Sequence, residues 1–278
     1  MKIAEWKWKT SDGLEIYSKE WEPDGKVKGV VCLLHGVGEH TGRYEHVGEA
    51  LAEAGYIMAG FDIRGFGQSQ GKRGHVPSAE TYFDDIDSFL AEVAKRHPSV
   101  PRFLYGHSMG GILSLAYTPV RKPDVRGVIV SGPGLRTALE EQKFKLFLVK
   151  TLGALLPSMT LISGVDSNTL SHDPEVAPKY DSDPLVHHIV SLGWGKAMLG
   201  VIDLAFKQAP NFPLPLLMLH GSEDVLSYPK GSREYARLAP QDKVTLKMWE
   251  GFKHEVQNEV GRADVFKYMV EWLNKQNR

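Results

Sequence analysis

Phe103-Leu104-Tyr105-Gly106-His107-Ser108-Met109-Gly110 reads as a strand that breaks straight into a helix. The apolar run Phe103 to Tyr105 suits a strand, and the stretch from Gly111 through Tyr117 is helical. Between them stands GxSxG, in the strand-turn-helix context that gives the motif meaning. A serine there sits on a sharp, strained turn, and the flanking glycines leave room for strand and helix to pass close by. Its hydroxyl is then exposed above the sheet, so Ser108 is the candidate nucleophile.

Outward from this point, similar short apolar runs occur at Val30 to Leu34, Tyr56 to Phe61, Val128 to Val130, Leu216 to Leu219 and Val244 to Trp249. Continuous apolar runs are the pattern of strands covered on both faces in a parallel sheet. Helical patterns separate them: Val47, Ala50, Leu51 and Ala54 ending at Gly55; Phe83, Ile86, Leu90 and Val93; Val265, Met269 and Trp272. The class is therefore α/β, a mostly parallel central sheet flanked by helices. Ile3 to Lys9 and Leu14 to Trp21, joined by Ser11, Asp12 and Gly13, alternate instead as a hairpin and predict an antiparallel edge.

The strand-helix rhythm stops between about Leu135 and Phe206, where helical patterns continue without a strand-like run. The predicted organisation is a core of residues 1–134 and 207–278 with an inserted helical cap at 135–206. Within it Phe144, Phe147, Leu148, Leu152 and Leu155 share one helix face, and Pro157 ends the helix. This stripe either packs on the core, lines an acyl tunnel or faces lipid aggregates. Trp194 and Met198 are further candidates to line such a tunnel, with plain packing the alternative.

A serine hydroxyl needs a base within reach and a carboxylate to fix that base's tautomer. Leu216 to Leu219 leads into His220-Gly221-Ser222-Glu223-Asp224, and Val244 to Trp249 leads into Glu250-Gly251-Phe252-Lys253-His254. Both loops follow strands, whose carboxyl ends carry the sites of open α/β sheets. His254 is the expected base and Asp224 the expected acid, with Glu223 its competitor. Oxyanion donors are expected from the Met109 amide and, in the loop His35-Gly36-Val37-Gly38, from the Val37 amide. His35 itself reads as a structural turn residue, and Asp62, Arg64 and Ser69 as braces of the neighbouring loop.

Three segments, His35-Gly36-Val37-Gly38-Glu39-His40-Thr41-Gly42-Arg43-Tyr44, Asp62-Ile63-Arg64-Gly65-Phe66-Gly67-Gln68-Ser69 and Gly106 to Gly111, resemble the monoacylglycerol lipase and lysophospholipase group of α/β-hydrolases. Ser171-His172-Asp173-Pro174 and Asp183-Pro184-Leu185-Val186 extend the similarity into the cap. The resemblance implies the α/β-hydrolase fold and a lipase, without cofactor or metal, that splits a one-chain glyceride into glycerol and fatty acid. It also implies that Glu39 and Arg43 lie near the polar end of the pocket; by the residues alone they could equally be an exposed ion pair shaping the loop. Vertebrate members carry a histidine three residues after the catalytic one, where this chain has Gln257.

Lysophospholipase, simple carboxylesterase and serine aminopeptidase of the proline iminopeptidase type share fold and triad, and the last would want acids such as Asp166, Asp173 or Glu175 to hold a free amine. A receptor-like relative that binds without catalysis is the alternative from another class; an intact triad argues against it. A net charge of −1 gives no overall pull toward nucleic acid or anionic lipid, so any membrane contact must come from local apolar surface of the cap. MKIAEWKWKT lacks the apolar run of a signal peptide, and no stretch approaches the roughly 18 apolar residues of a membrane span. A cytoplasmic protein, at most peripheral at a membrane, is expected. The single cysteine, Cys32, falls in an apolar strand and reads as a buried thiol.

Overall fold

The computed structural model describes residues 1–142, 149 and 151–277. Eight strands form one sheet: β1 (Lys2–Lys9), β2 (Glu15–Glu22), β3 (Gly29–Leu34), β4 (Tyr56–Phe61), β5 (Arg102–His107), β6 (Val128–Ser131), β9 (Leu216–Gly221) and β10 (Val244–Trp249), ordered β1-β2-β4-β3-β5-β6-β9-β10. The hairpin pairs antiparallel through Trp8↔Ile16 and its second strand lies antiparallel on β4; every other pairing in this sheet is parallel. All residues of β3, β4 and β9 are buried, as strands covered on both faces must be. Cys32 is fully enclosed in β3, and burial pushes its thiol up to about 12, which leaves it inert.

Helices α1 (Glu45–Glu53), α2 (Ala79–Arg96), α3 (Met109–Arg121), α4 (Val176–Ser182), α5 (Leu192–Gln208), α6 (Pro229–Leu238) and α7 (Arg262–Gln276) accompany the sheet. Val47 and Leu51 of α1 and Val265, Met269 and Leu273 of α7 fill the core on one face of the sheet. Phe83, Ile86 and Phe89 of α2 and Leu113, Leu115 and Ala116 of α3 fill it on the other. Ser78 starts α2 by accepting the Thr81 amide at 3.3 Å, which satisfies one of the four free donors of a helix start.

Parallel pairing puts the carboxyl ends of the strands in line. Leu34 is opposite Gly106, His107 opposite Ser131, Ser131 opposite Leu219, and Gly221 opposite Trp249. The loops that carry His35 to Gly38, Ser108, Asp224 and His254 therefore leave the sheet at one edge.

The inserted segment is not wholly helical. Thr160–Ile162 (β7) and Ile189–Ser191 (β8) pair antiparallel as a small second sheet, which corrects the expectation of no strand there. Three residues are too few for an alternating pattern to show, and β7 is exposed throughout although two of its three residues are apolar. Helix α5 begins beside this ribbon and runs to Gln208, packing on α3 and α2. Phe144, Phe147 and Leu148 lie outside the described residues. Of the same stripe, Leu152 is half-buried, whereas Leu155 is 75% exposed.

Candidate active site

Ser108 joins β5 to α3 with φ +49° and ψ −109°, a region that L-residues enter only under constraint. The constraint is packing: a Cβ on Gly106 would run into the Gly110 carbonyl, and one on Gly110 into the Leu34 carbonyl. Strand, turn and helix are thus pressed together around the serine, whose own amide is tied to Ser131 O at 2.9 Å. From Phe103 to Pro119 every residue is buried except Ser108. Likewise Val37 alone is not buried between Gly29 and Thr41. The two loops touch, because the Cβ direction of Gly36 points at the Ser108 Cβ, 3.4 Å away. Among the described residues neither the Val37 nor the Met109 amide has a protein acceptor.

His254 and Asp224 meet across the ends of β10 and β9, with Nδ1 2.7 Å from Oδ2. The other oxygen, Oδ1, accepts the amides of Leu226 at 2.9 Å and Ser227 at 2.8 Å. Burial opposes the charge on Asp224, but His254 and His220 hold the carboxyl far below the usual carboxylate range. An ionised carboxylate only accepts, so Nδ1 of His254 carries the proton and Nε2 keeps its lone pair. Burial favours the neutral imidazole; attraction to Asp224 overrides it and raises the His254 pKa above its ordinary 6.5.

His220 is a member of this group that the sequence does not single out. Its Nε2 donates to Ser227 O at 2.7 Å and stands 3.0 Å from Asp224 Oδ2, while Nδ1 accepts from Ser232 Oγ at 2.7 Å. It approaches the same oxygen of the acid that His254 contacts. Glu223, the competing acid, is exposed and faces His172 at 3.4 Å, away from the dyad. His107 packs against His254 with ring centres 4.9 Å apart and planes tilted by 52°; burial, then the neighbouring His254, lowers its pKa to about 4, so it stays neutral.

Glu39 and Arg43 form a buried pair, not an exposed one. Glu39 also accepts the Gly36 amide at 2.5 Å and the Tyr44 hydroxyl at 2.6 Å. Arg43 reaches further, to Glu255, the residue after His254, at 2.7 and 2.9 Å. Nothing in the sequence signals that contact across 212 positions. His35 donates to Gly36 O and accepts from the Ile63 amide, at 2.7 and 2.8 Å, and acts as the expected turn residue. Asp62 braces its loop through the amides of Thr41 and Gln68, both at 2.8 Å. Trp194, in the first turn of α5, packs on the core cluster that also holds Met198 and Met109.

The inserted segment is fastened to both functional loops. Leu170 O accepts the Glu255 amide at 2.8 Å, and the His187 amide donates to Gly38 O at 3.0 Å. His40 Nε2 lies 2.8 Å from Asp183.

Sheet order, the turn at Ser108 and the dyad beside it define an α/β-hydrolase. A family model described as serine aminopeptidase, S33, matches residues 25–261, and the chain belongs to that family. It is 40% identical over 96% of its length to an uncharacterized abhydrolase domain-containing protein of Dictyostelium discoideum, of which it spans 28%. It is 34% identical to the monoacylglycerol lipase of Mycolicibacterium smegmatis, over 94% of this chain and 93% of the relative. The crystal structure of Paleococcus ferrophilus monoacylglycerol lipase superposes with a TM-score of 0.84 at 32% identity, covering 99% of this chain and all of the other.

Proposed function

We propose that this enzyme hydrolyses monoacylglycerols to glycerol and fatty acid, with Ser108 as nucleophile, His254 as general base and Asp224 as the acid that orients it. The observation that carries the reading is the pairing of exposures: Ser108 and Val37 alone emerge from buried runs, at the edge where the His254–Asp224 dyad lies. Ser108 Oγ attacks the ester carbonyl as its proton passes to His254 Nε2. The amides of Val37 and Met109 receive the oxyanion. Collapse expels the glycerol oxygen, which takes the proton back from His254. Water then attacks the acyl-serine with His254 as base again, and the fatty acid leaves.

The substrate class rests on full-length relatives that are monoacylglycerol lipases; another full-length relative, of Bacillus subtilis, is a phospholipase. An aminopeptidase needs acids free to hold an amine, yet the cap acids are engaged locally. Asp173 pairs with Arg262, Glu175 with Lys179, and Asp166 accepts the Asn168 amide. Residues 135–206 act as a roof that admits one chain; Phe147, Leu148 and Trp194 are proposed to line it, and Glu39 and Arg43 to bound its polar end.

The roof also presents Leu155, Leu156, Met159, Leu161, Ile162 and Ile189 to solvent. An apolar patch of this kind marks an interaction surface, and we read it as the contact with lipid aggregates. Among the described residues no helix is long and apolar enough to cross a membrane.

Initial rates on monoacylglycerols of increasing chain length, lysophospholipids, nitrophenyl esters, triacylglycerols and aminoacyl amides test the proposal. Each methylene buried in the tunnel contributes about 0.8 kcal/mol, so kcat/KM is expected to rise up to about fourfold per methylene until the tunnel is full. Triacylglycerols, whose extra chains the roof excludes, should react much more slowly. Equal rates on all esters without chain-length dependence would point to a general carboxylesterase.

A further inference from the structure

Arg43 is gripped by two carboxylates from distant parts of the chain. Its Nη1 and Nη2 donate to Glu255 Oε1 and Oε2 at 2.7 and 2.9 Å, and Nη1 also donates to Glu39 Oε2. Glu39 Oε1 in turn accepts the Gly36 amide at 2.5 Å. Asn258 Nδ2 also donates to Glu255 Oε2, at 2.5 Å. An unbroken line of hydrogen bonds thus runs from the residue after His254 to the residue before Val37. The side chains of Glu39, Arg43 and Glu255 are 3%, 11% and 2% exposed.

As a device for stability alone this cluster is a poor one, since desolvating three charges costs about what their attraction returns, and apolar replacements are often as stable. Two negative charges around one positive also leave an excess charge that must be held in a buried place. What the arrangement does supply is a rigid connection. A guanidinium that makes two parallel bonds to a carboxylate fixes direction as well as distance.

We propose that Glu255 and Arg43 are positioning residues: through Glu39 they tie the loop of the general base to the oxyanion loop, so that His254 and the Val37 amide hold one fixed spacing. The proposal rests on the roles given above to His254 and Val37. The strut leaves the bonds made and broken unchanged; it sets the geometry in which proton transfer and oxyanion binding coincide. The same cluster bears on the base electrostatically. His254 touches Asp224 and His107 directly, His220 shares the same Asp224 oxygen, Arg43 acts on the adjacent His107, and the charges of Glu255 and Glu39 add to that of Asp224 in favouring the imidazolium against burial.

The test is Glu255→Gln, which keeps shape but mismatches one donor and removes the charge, assayed with a soluble nitrophenyl ester for kcat, KM and pH profile beside thermal unfolding. Removal of a whole oxyanion donor costs about 10²–10³ in kcat, and displacement of one is expected to cost about tenfold. KM should stay within about twofold, and the acid limb of kcat/KM should move to lower pH. Arg43→Lys, which keeps the charge but cannot bridge both carboxylates, should lower kcat similarly and serves if Glu255→Gln does not fold. Glu39→Gln combined with Glu255→Gln should lose little more than the worse single variant, because both break one line. A Glu255→Gln protein with kcat and acid limb unchanged and only a lower melting temperature would overturn the proposal. Fluorophosphonate labelling separates the two levels: wild type labelled at Ser108 with an unaffected Glu255→Gln removes the strut alone, whereas wild type unlabelled at Ser108 removes the catalytic reading and the strut with it.

Discussion

Asp224→Asn replaces one oxygen by an amino group at a carboxylate both of whose oxygens are engaged. Oδ1 holds the amides of Leu226 and Ser227, and Oδ2 holds His254 Nδ1 and faces His220 Nε2. If the asparagine oxygen keeps the two backbone amides, its NH2 points at His254, which must then move its proton to Nε2. That tautomer cannot accept the serine proton. The same NH2 also meets the Nε2–H of His220, whose proton is committed to Ser227 O. The opposite flip keeps His254 in order but turns NH2 against two backbone donors, losing two bonds at about 1.5–3 kcal/mol each. The first orientation is therefore expected to prevail, and with it a loss of about 10⁴ in kcat, or about 5.4 kcal/mol at 1.36 kcal/mol per decade. The assay is kcat on a soluble nitrophenyl ester, with Glu223→Gln as companion. Glu223 is exposed and 3.4 Å from His172, so its loss should stay within about twofold. An Asp224→Asn protein within tenfold of wild type, or a larger loss from Glu223→Gln, would refute this reasoning.

Further outcomes follow from the same geometry. Because Asp224 raises the His254 pKa, activity should fall on acidification with its midpoint above pH 6.5. The attraction between them stabilises the fold fully below 6.5 and is lost as pH rises through the folded value, so in that window the melting temperature should decline while the rate climbs. Gly110→Ala drives a methyl group into the Leu34 carbonyl and should destabilise the fold by about 3 kcal/mol, read from the midpoint of chemical denaturation; an unchanged midpoint would contradict the packing account of the turn. Leu155→Glu or Ile162→Glu, at positions 75% and 81% exposed, should weaken liposome co-sedimentation about tenfold, since each aliphatic side chain contributes about 1.5–3 kcal/mol when buried. Rates on soluble esters should not change. Undiminished liposome binding would remove the patch from the membrane reading.

The sheet is legible in the sequence because its inner strands are buried on both faces, which leaves unbroken apolar runs such as Val30 to Leu34. The turn at Ser108 is legible because two glycines are demanded by backbone contact, and the loops of Asp224 and His254 because each follows such a run. β7 and β8 are not, since strands of three residues carry no periodicity. Glu255 looks like one more charged neighbour of His254; only the fold brings Arg43 to it. His220 is hidden similarly, as one of eleven histidines, and its place beside Asp224 depends on how the loop after β9 turns back. A clue does exist: His220 and Asp224 are four apart at a strand end, close enough for a tight turn to bring them together. Glu39 and Arg43 stand out in the sequence, but burial decides between an exposed pair and a buried one, and burial is a tertiary property.

The identity of the nucleophile for a lipid ester is the central claim. Wild type and Ser108→Ala should be compared for glycerol release from a long-chain monoacylglycerol, with the phosphonylated residue of the wild type mapped after fluorophosphonate treatment. The expected result is labelling at Ser108 and a loss of about 10⁶ in rate on substitution, with the folded state retained. Labelling elsewhere, or substantial glycerol release by Ser108→Ala, would contradict it.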